Sequence, residues 1–155
     1  MKKQGFTLIE LMVVIVIMGI LAAVAVPKLF GMIAKSKASE VGPAAGTYVK
    51  LADVYFVENN TMGTWKDIGY NAPNGSQGST SSTTNFKYLG ATAKKSGEFT
   101  WKAQNAVALN DCGKEVGAWT IVPTFDTTKG EVSYAAAVSG SGCSELTPNF
   151  SKIGH

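Results

Sequence analysis

The sequence contains no arginine, and its positive charge comes from 14 lysines set against 11 acidic residues. Two of those lysines lie within the first three residues, so the rest of the chain is close to neutral. Proteins that bind nucleic acids usually carry a clustered basic face, because contacts to phosphates supply much of the affinity. The charge distribution therefore predicts no nucleic-acid partner.

Histidine and cysteine are also scarce. The single histidine, His155, is the last residue, and no nucleophile and base occur at a spacing that suggests catalysis. Neither a CxxC motif nor a Cys/His metal-binding pattern is present. We therefore expect that the protein is not an enzyme and that it has no cofactor and no metal site.

Apolar residues are concentrated at the N-terminus. The chain as a whole is 45% hydrophobic, but its first 34 residues are almost entirely apolar and the remainder is polar and rich in Gly, Ser and Thr. A helix from Phe6 to Val26 would be roughly 30 Å long, enough to cross a bilayer core. The flanking lysines predict that the N-terminus stays cytoplasmic and that the bulk of the chain lies outside. This segment is predicted to be a membrane anchor.

A short positive leader, residues 1–5, ends at Gly5 immediately before the apolar run. A secretory signal peptide would instead be cut after the apolar stretch, where the alanines at 22, 23 and 25 offer an alternative site. Glu10 lies inside the predicted span, where an acid costs on the order of 3 kcal/mol near the centre and so usually has a functional partner. Cleavage after Gly5 would free the α-amino group of Phe6, which the Glu10 of a neighbouring subunit could neutralise. The alternative is that the protein is a single membrane anchor and that the Glu10 side chain extends to the membrane–water interface.

Residues 5–10, Gly-Phe-Thr-Leu-Ile-Glu, followed by the apolar run, closely resemble the signal of type IV pilins and of the related pseudopilins of type II secretion. The resemblance covers about residues 1–35. It implies that a membrane peptidase cuts after Gly5, that Phe6 becomes N-methylated, and that Glu10 is needed for assembly. It also implies a cytoplasmic assembly ATPase and an inner-membrane platform as partners.

Gly19 and Pro27 predict a weak stretch within the helix, because an interior Gly costs about 1 kcal/mol and an interior Pro removes a backbone hydrogen bond. The pair resembles in placement a Gly and a Pro of the family that bracket a stretch which loosens on assembly. Close packing of helices in lipid is an equal explanation for Gly19. We expect a further bend at Gly42 and Pro43.

The fold predicted from these patterns is α+β: a long N-terminal apolar helix whose C-terminal half packs on a small antiparallel sheet, as in the pilin fold. The expected parts are a removable leader (1–5), a transmembrane and filament-core helix (6–27), an amphipathic helix on the globular domain (28–60), a surface loop (61–95), and a sheet with a disulfide-bounded segment (96–155). The loop is predicted because residues 61–85 are too poor in apolar groups to be buried.

Short strand-like runs are expected at residues 86–91, 98–103, 107–109, 118–122 and 131–138. Cys112 and Cys143 enclose the last two runs. They are predicted to form a disulfide, because an exported segment lies in an oxidising compartment. A late disulfide-bounded segment resembles that of type IVa pilins.

The function predicted from the sequence is that of a structural major subunit of a type IV pilus, a homopolymer held in the bacterial inner membrane before assembly and then displayed on the cell surface for adhesion or motility. The alternatives are a major pseudopilin and a minor pilin with an adhesin or DNA-uptake role. A pseudopilin typically has an acid-lined calcium loop near its C-terminus, whereas the acids here are scattered among the strands.

Overall fold

The computed structural model describes residues 3–154. Met1 and Lys2 of the predicted leader, and His155, lie outside the described residues. The chain divides into two compact units, of which the first ends at Ile33 and the second begins at Ala34.

Two helices occupy the first part of the chain. Helix α1 spans Leu8–Ala38 and contains Pro27, and helix α2 spans Val41–Asn59. Helix α2 ends where Asn60 adopts a left-handed conformation, with φ of 54°, and donates its backbone N–H to the Phe56 carbonyl at 2.7 Å. This single left-handed residue satisfies a carbonyl of the last turn and stops the helix.

The break between the two helices falls at Ser39 and Glu40, not at the predicted bend over Gly42 and Pro43. Pro43 lacks an N–H for the Ser39 carbonyl, and its ring would clash with that carbonyl in a continuous helix. The helix is therefore interrupted about one turn earlier. Pro43 itself lies in the first turn of α2, where a missing N–H costs little.

The second unit contains a five-stranded antiparallel sheet. Its strands are β1 (Thr80–Ser82), β2 (Phe86–Gly90), β3 (Trp101–Asn105), β4 (Ala118–Asp126) and β5 (Glu131–Ser139), and each pairs with its neighbour in chain order. Two short 3-10 helices follow, at Ser144–Leu146 and Phe150–Lys152. The α+β fold with a long apolar N-terminal helix and an antiparallel sheet is confirmed, and it is pilin-like.

The core of this unit lies between α2 and one face of the sheet. Helix α2 buries a stripe with helical spacing, which consists of Val41, Ala45, Tyr48, Val49, Ala52 and Phe56. The strands bury alternate residues, among them Phe86, Tyr88, Trp101, Ala103, Trp119 and Ile121. Each large buried side chain contributes roughly 1.5–3 kcal/mol through removal of apolar surface from water.

A polar contact ties the junction of the helices to the sheet. The Glu40 Oε1 atom accepts hydrogen bonds from the Thr83 hydroxyl and from the Tyr88 hydroxyl, each at 2.6 Å. Tyr88 is fully buried and Glu40 is partly buried. The carboxylate therefore satisfies a core hydroxyl at the point where the chain turns from α1 into α2.

The surface loop predicted over residues 61–95 is wrong in two respects. Strand β1 lies inside this range, and so do the buried side chains of Met62, Trp65, Ile68 and Tyr70, whereas β2 matches the strand predicted at residues 86–91. The Trp65 and Tyr70 rings contact each other edge to face, with centroids 5.1 Å apart. A few large apolar residues, spaced with neither helical nor strand periodicity, bury this segment although its average composition is polar.

Two other predicted strands differ from the structure. Strand β3 begins at Trp101 instead of 98, because the Glu98 carboxylate accepts the backbone N–H groups of Lys94 and Lys95 and holds a turn. The predicted strand at 107–109 is reduced to one bridge between Leu109 and Cys112. The left-handed Asn110, with φ of 56°, turns the chain between them.

The predicted disulfide is present. Cys112 and Cys143 are bonded, are fully buried, and lie on either side of β4 and β5 in the sequence. Gly117 allows the approach of neighbouring groups, because a Cβ atom there would lie 2.6 Å from the Trp119 ring and 3.0 Å from the Cys112 sulfur. The disulfide therefore closes the final strand pair beside a tryptophan of the core.

Candidate functional site: the N-terminal segment

Helix α1 begins with a reciprocal pair of hydrogen bonds. The backbone N–H of Thr7 donates to the Glu10 Oε2 atom at 2.8 Å, and the backbone N–H of Glu10 donates to the Thr7 hydroxyl at 3.2 Å. The first helical bond runs from the Leu11 N–H to the Thr7 carbonyl. This is a capping box, in which two backbone donors without helical partners are satisfied by side chains.

The scissile bond predicted between Gly5 and Phe6 lies just before this cap. Residues 3–7 are not helical, and both Gly5 and Phe6 are exposed, Phe6 to 88%. The peptide N–H of Thr7 would be unchanged by cleavage after Gly5. The capping box is therefore compatible with both the precursor and a processed chain.

The side chains of the first unit have no core of their own. Every residue from Lys3 to Phe30 is exposed, and the large apolar residues from Leu8 to Ile33 are each at least 41% exposed. The helix is long and apolar enough to cross a membrane, by length and composition. A surface of this kind is unfavourable in water, so an environment that covers it is favoured.

Glu10 is the one acidic residue between the N-terminus and Glu40. Its Oε2 atom is engaged by the Thr7 N–H, whereas its Oε1 atom has no hydrogen-bond partner among residues 3–154. A carboxylate in an apolar surrounding is costly unless a cation or donor reaches it. The free oxygen is thus positioned to accept a group from outside the chain.

The remaining predicted site residues are spread over both units. Gly19 and Pro27 lie within α1, and a Cβ atom at Gly19 would meet nothing within 4 Å in this chain. Their role as a helix hinge stays a prediction. Cys112 and Cys143 belong to the second unit, with no part in the N-terminal segment.

Thr7 is the functional residue that the sequence reasoning missed. A Thr followed three residues later by Glu, at the start of an apolar run, is the sequence signature of a capping box. The charge of Glu10 predicts an intermolecular partner but not this contact within the chain. The structure brings the two residues together and gives Glu10 a local role in addition to any intermolecular one.

Comparison with known proteins assigns the same segment to a family. The family described as "Prokaryotic N-terminal methylation motif" matches residues 1–26. The chain is also similar to the "Type IV major fimbrial protein FimA" and to a "Fimbrial protein", both of Dichelobacter nodosus, at 52% identity over 52 residues. These matches cover 33% of this chain and 32% of each relative, so the chain spans about a third of the length of the curated relatives it matches. No solved structure matches.

The exposed apolar helix α1 coincides with the segment that matches the N-terminal methylation motif. In its first third the chain is similar to type IV fimbrial proteins, and this segment is joined to a pilin-like α+β fold.

Proposed function

We propose that this protein is the structural major subunit of a type IV pilus, processed after Gly5 and polymerised through helix α1. The observation that carries the proposal is the first unit itself, in which every apolar side chain from Leu8 to Val26 is exposed and one acid is held at the helix start. Lipid covers this surface in the precursor, and neighbouring helices replace the lipid in the filament.

Cleavage by a prepilin peptidase converts Phe6 into the N-terminal residue, which a methyltransferase then modifies. The new amine carries a positive charge one residue before Thr7, and the Glu10 Oε1 atom of a neighbouring subunit is free to accept it. Each group offsets the desolvation of the other in an apolar surrounding, whereas either charge alone is costly there. This pairing sets the axial register of the subunits.

The precursor resides in the inner membrane with its N-terminus in the cytoplasm, and the assembled subunit is on the cell surface. Extraction from lipid requires work, which an assembly ATPase and a membrane platform supply. The names of the curated relatives, which describe fimbrial proteins, support this assignment. Adhesion and twitching motility are the activities that such a filament would serve.

The test is N-terminal mass spectrometry on filaments sheared from cells that express the wild type, Glu10→Ala or Glu58→Ala. Glu58 is an exposed acid on α2 and serves as the matched control. We expect subunits that begin at N-methylated Phe6 in the wild type and the control, and loss of filaments with Glu10→Ala.

Subunits that retain Met1, or abundant filaments without Glu10, would contradict the mechanism. Processed subunits that are never found outside the cell would instead support a pseudopilin of a secretion system.

A further inference from the structure

The second unit carries a groove beside the last turn of helix α1. Its lining comes from two parts of the chain: Lys35, Ser39 and Gly42 near the junction of the two helices, and the C-terminal residues 146–150 and Ile153. All of these residues belong to the second unit. The groove has a volume of about 370 Å³, which lies within the ~300–1,000 Å³ range of small-ligand sites.

The C-terminal side of the groove is apolar. Leu146 and Phe150 are buried, Ile153 is half-buried, and Pro148 is exposed. The Phe150 ring stacks on that of Trp101, with centroids 6.4 Å apart, so this side is fixed to the core of the sheet. An apolar surface of this kind favours the hydrocarbon part of a ligand.

Lys35 supplies the charge of the groove. It is exposed and forms no ion pair with any of residues 3–154, and none of the described residues that line the groove is acidic. The stretch 11–39 contains no acid at all, whereas it contains Lys28, Lys35 and Lys37. A free cation beside an apolar surface suits a ligand that joins an anionic group to a hydrocarbon chain.

The groove begins where the exposed apolar surface of α1 ends. The last four large apolar residues of α1 are each at least 41% exposed: Leu29, Phe30, Met32 and Ile33. Ala34 is the first buried residue of this helix, and Lys35 follows it directly. In the membrane-held precursor proposed above, lipid covers the apolar residues as far as Ile33. Lys35, only about 3 Å further along the helix axis, then lies at the level of the lipid headgroups.

We propose that this groove binds an anionic phospholipid from the outer leaflet of that membrane. Lys35 pairs with the phosphate, and the apolar side of the groove covers the first methylene groups of an acyl chain. The inference rests on the proposed function, because it needs the membrane-held precursor. The apolar helix of a second copy would leave the Lys35 charge without a partner, so the lipid is the better match.

The test uses the full chain in micelles of a neutral detergent, with isotope-labelled isoleucine methyl groups, and follows their NMR signals during titration with phosphatidylglycerol. Phosphatidylcholine serves as the lipid without net charge, and glycerol phosphate as the anionic headgroup without chains. We expect phosphatidylglycerol to shift the Ile153 signal and to leave that of Ile121, in the core, in place. Contacts of the exposed Ile20 with detergent show in the same sample that α1 lies in the micelle.

Two matched lysine variants complete the test. Lys35→Gln removes the cation of the groove and is expected to weaken phosphatidylglycerol binding about five-fold, the effect of one lysine near an anionic surface. Lys37 is exposed on the same helix two residues further on, and it does not line the groove. Lys37→Gln is therefore expected to bind the lipid as the wild type does. Both positions are exposed, so both variants should fold.

An Ile153 signal that phosphatidylglycerol does not move, or that phosphatidylcholine moves equally, would overturn the proposal. The same response to glycerol phosphate alone, or equal losses of affinity in the two lysine variants, would also refute it. A shift of the Ile153 signal with protein concentration in lipid-free micelles would assign the groove to a second copy instead. The mass spectrometry of filaments decides the proposed function separately, so a processed and assembled subunit whose groove ignores the lipid would refute this inference alone.

Discussion

Removal of the Glu40 carboxylate should destabilise the globular unit more than removal of any other acid on the helices. Its Oε1 atom accepts from the hydroxyls of Thr83 and Tyr88, and the Tyr88 side chain is fully buried. Hydrogen bonds to a charged group contribute about 1.5–3 kcal/mol each, and a buried hydroxyl left unpaired costs about 1–3 kcal/mol. Because Glu40 is partly exposed and Thr83 can bond to water, we expect Glu40→Ala to cost about 3 kcal/mol.

The assay is urea unfolding of the full chain in micelles, followed by the tryptophan fluorescence of the sheet. A loss of about 3 kcal/mol is a large part of the 5–15 kcal/mol that stabilises a typical domain, so the midpoint should fall clearly. Glu40→Gln retains one acceptor oxygen and should cost less than half as much. Glu58→Gln, on the exposed side of α2, should change the midpoint little.

A double-mutant cycle decides whether the hydrogen bond to Tyr88 is the cause. Tyr88→Phe removes the buried hydroxyl, so Glu40→Ala should cost less in that background, with a coupling of about 1–2 kcal/mol. Additive effects of the two substitutions, or a Glu40→Ala variant within about 0.5 kcal/mol of the wild type, would refute the reasoning.

Three further predictions concern the second unit. Replacement of Cys112 and Cys143 by Ala should cost about 3.5–4 kcal/mol by urea unfolding, from the entropy of a closed loop with a sequence separation of 31; an unchanged midpoint would contradict this. Gly117→Ala should cost about 1–3 kcal/mol, because its Cβ would overlap the Trp119 ring, whereas the control Gly46→Ala, in open space on α2, should be stabilising by about 0.5–1 kcal/mol. Stability should also fall as the pH rises above about 10, the tyrosine value in unfolded chains, because burial raises the pKa of four tyrosines in the folded protein and the unfolded chain then releases protons first. The four residues are Tyr48 and Tyr70, whose pKa is raised to about 12, and Tyr88 and Tyr134, whose pKa is also raised. Unfolding free energies that do not change with pH above about 10, while phenolate absorbance shows that tyrosines ionise, would contradict this prediction.

Much of the N-terminal segment could be predicted from sequence because its evidence is local. An unbroken apolar run, one acid and a Gly-Phe junction are adjacent in the chain, and the membrane criterion depends on length and hydropathy alone. The capping box is equally local, since Thr7 and Glu10 are three residues apart and a Thr-x-x-Glu spacing is visible in the sequence.

The segment between α2 and β3 shows where local evidence fails. Its average composition is polar, yet Trp65 and Tyr70 are buried because the sheet and α2 offer them a shared core. The break at Ser39 and Glu40, which was predicted at Gly42 and Pro43, has a different and local cause. Proline acts on the carbonyl four residues earlier, so its effect appears before its own position.

The sequence alone determined the apolar N-terminal helix, the α+β class and the disulfide pair, because hydrophobic run length, periodicity and two lone cysteines each constrain structure without reference to distant residues. Only the tertiary structure decided which polar groups meet. Glu40 and Tyr88 are 48 residues apart in the chain. Contacts of this kind depend on the register of strands and on how side chains pack, and no local pattern in the sequence encodes them.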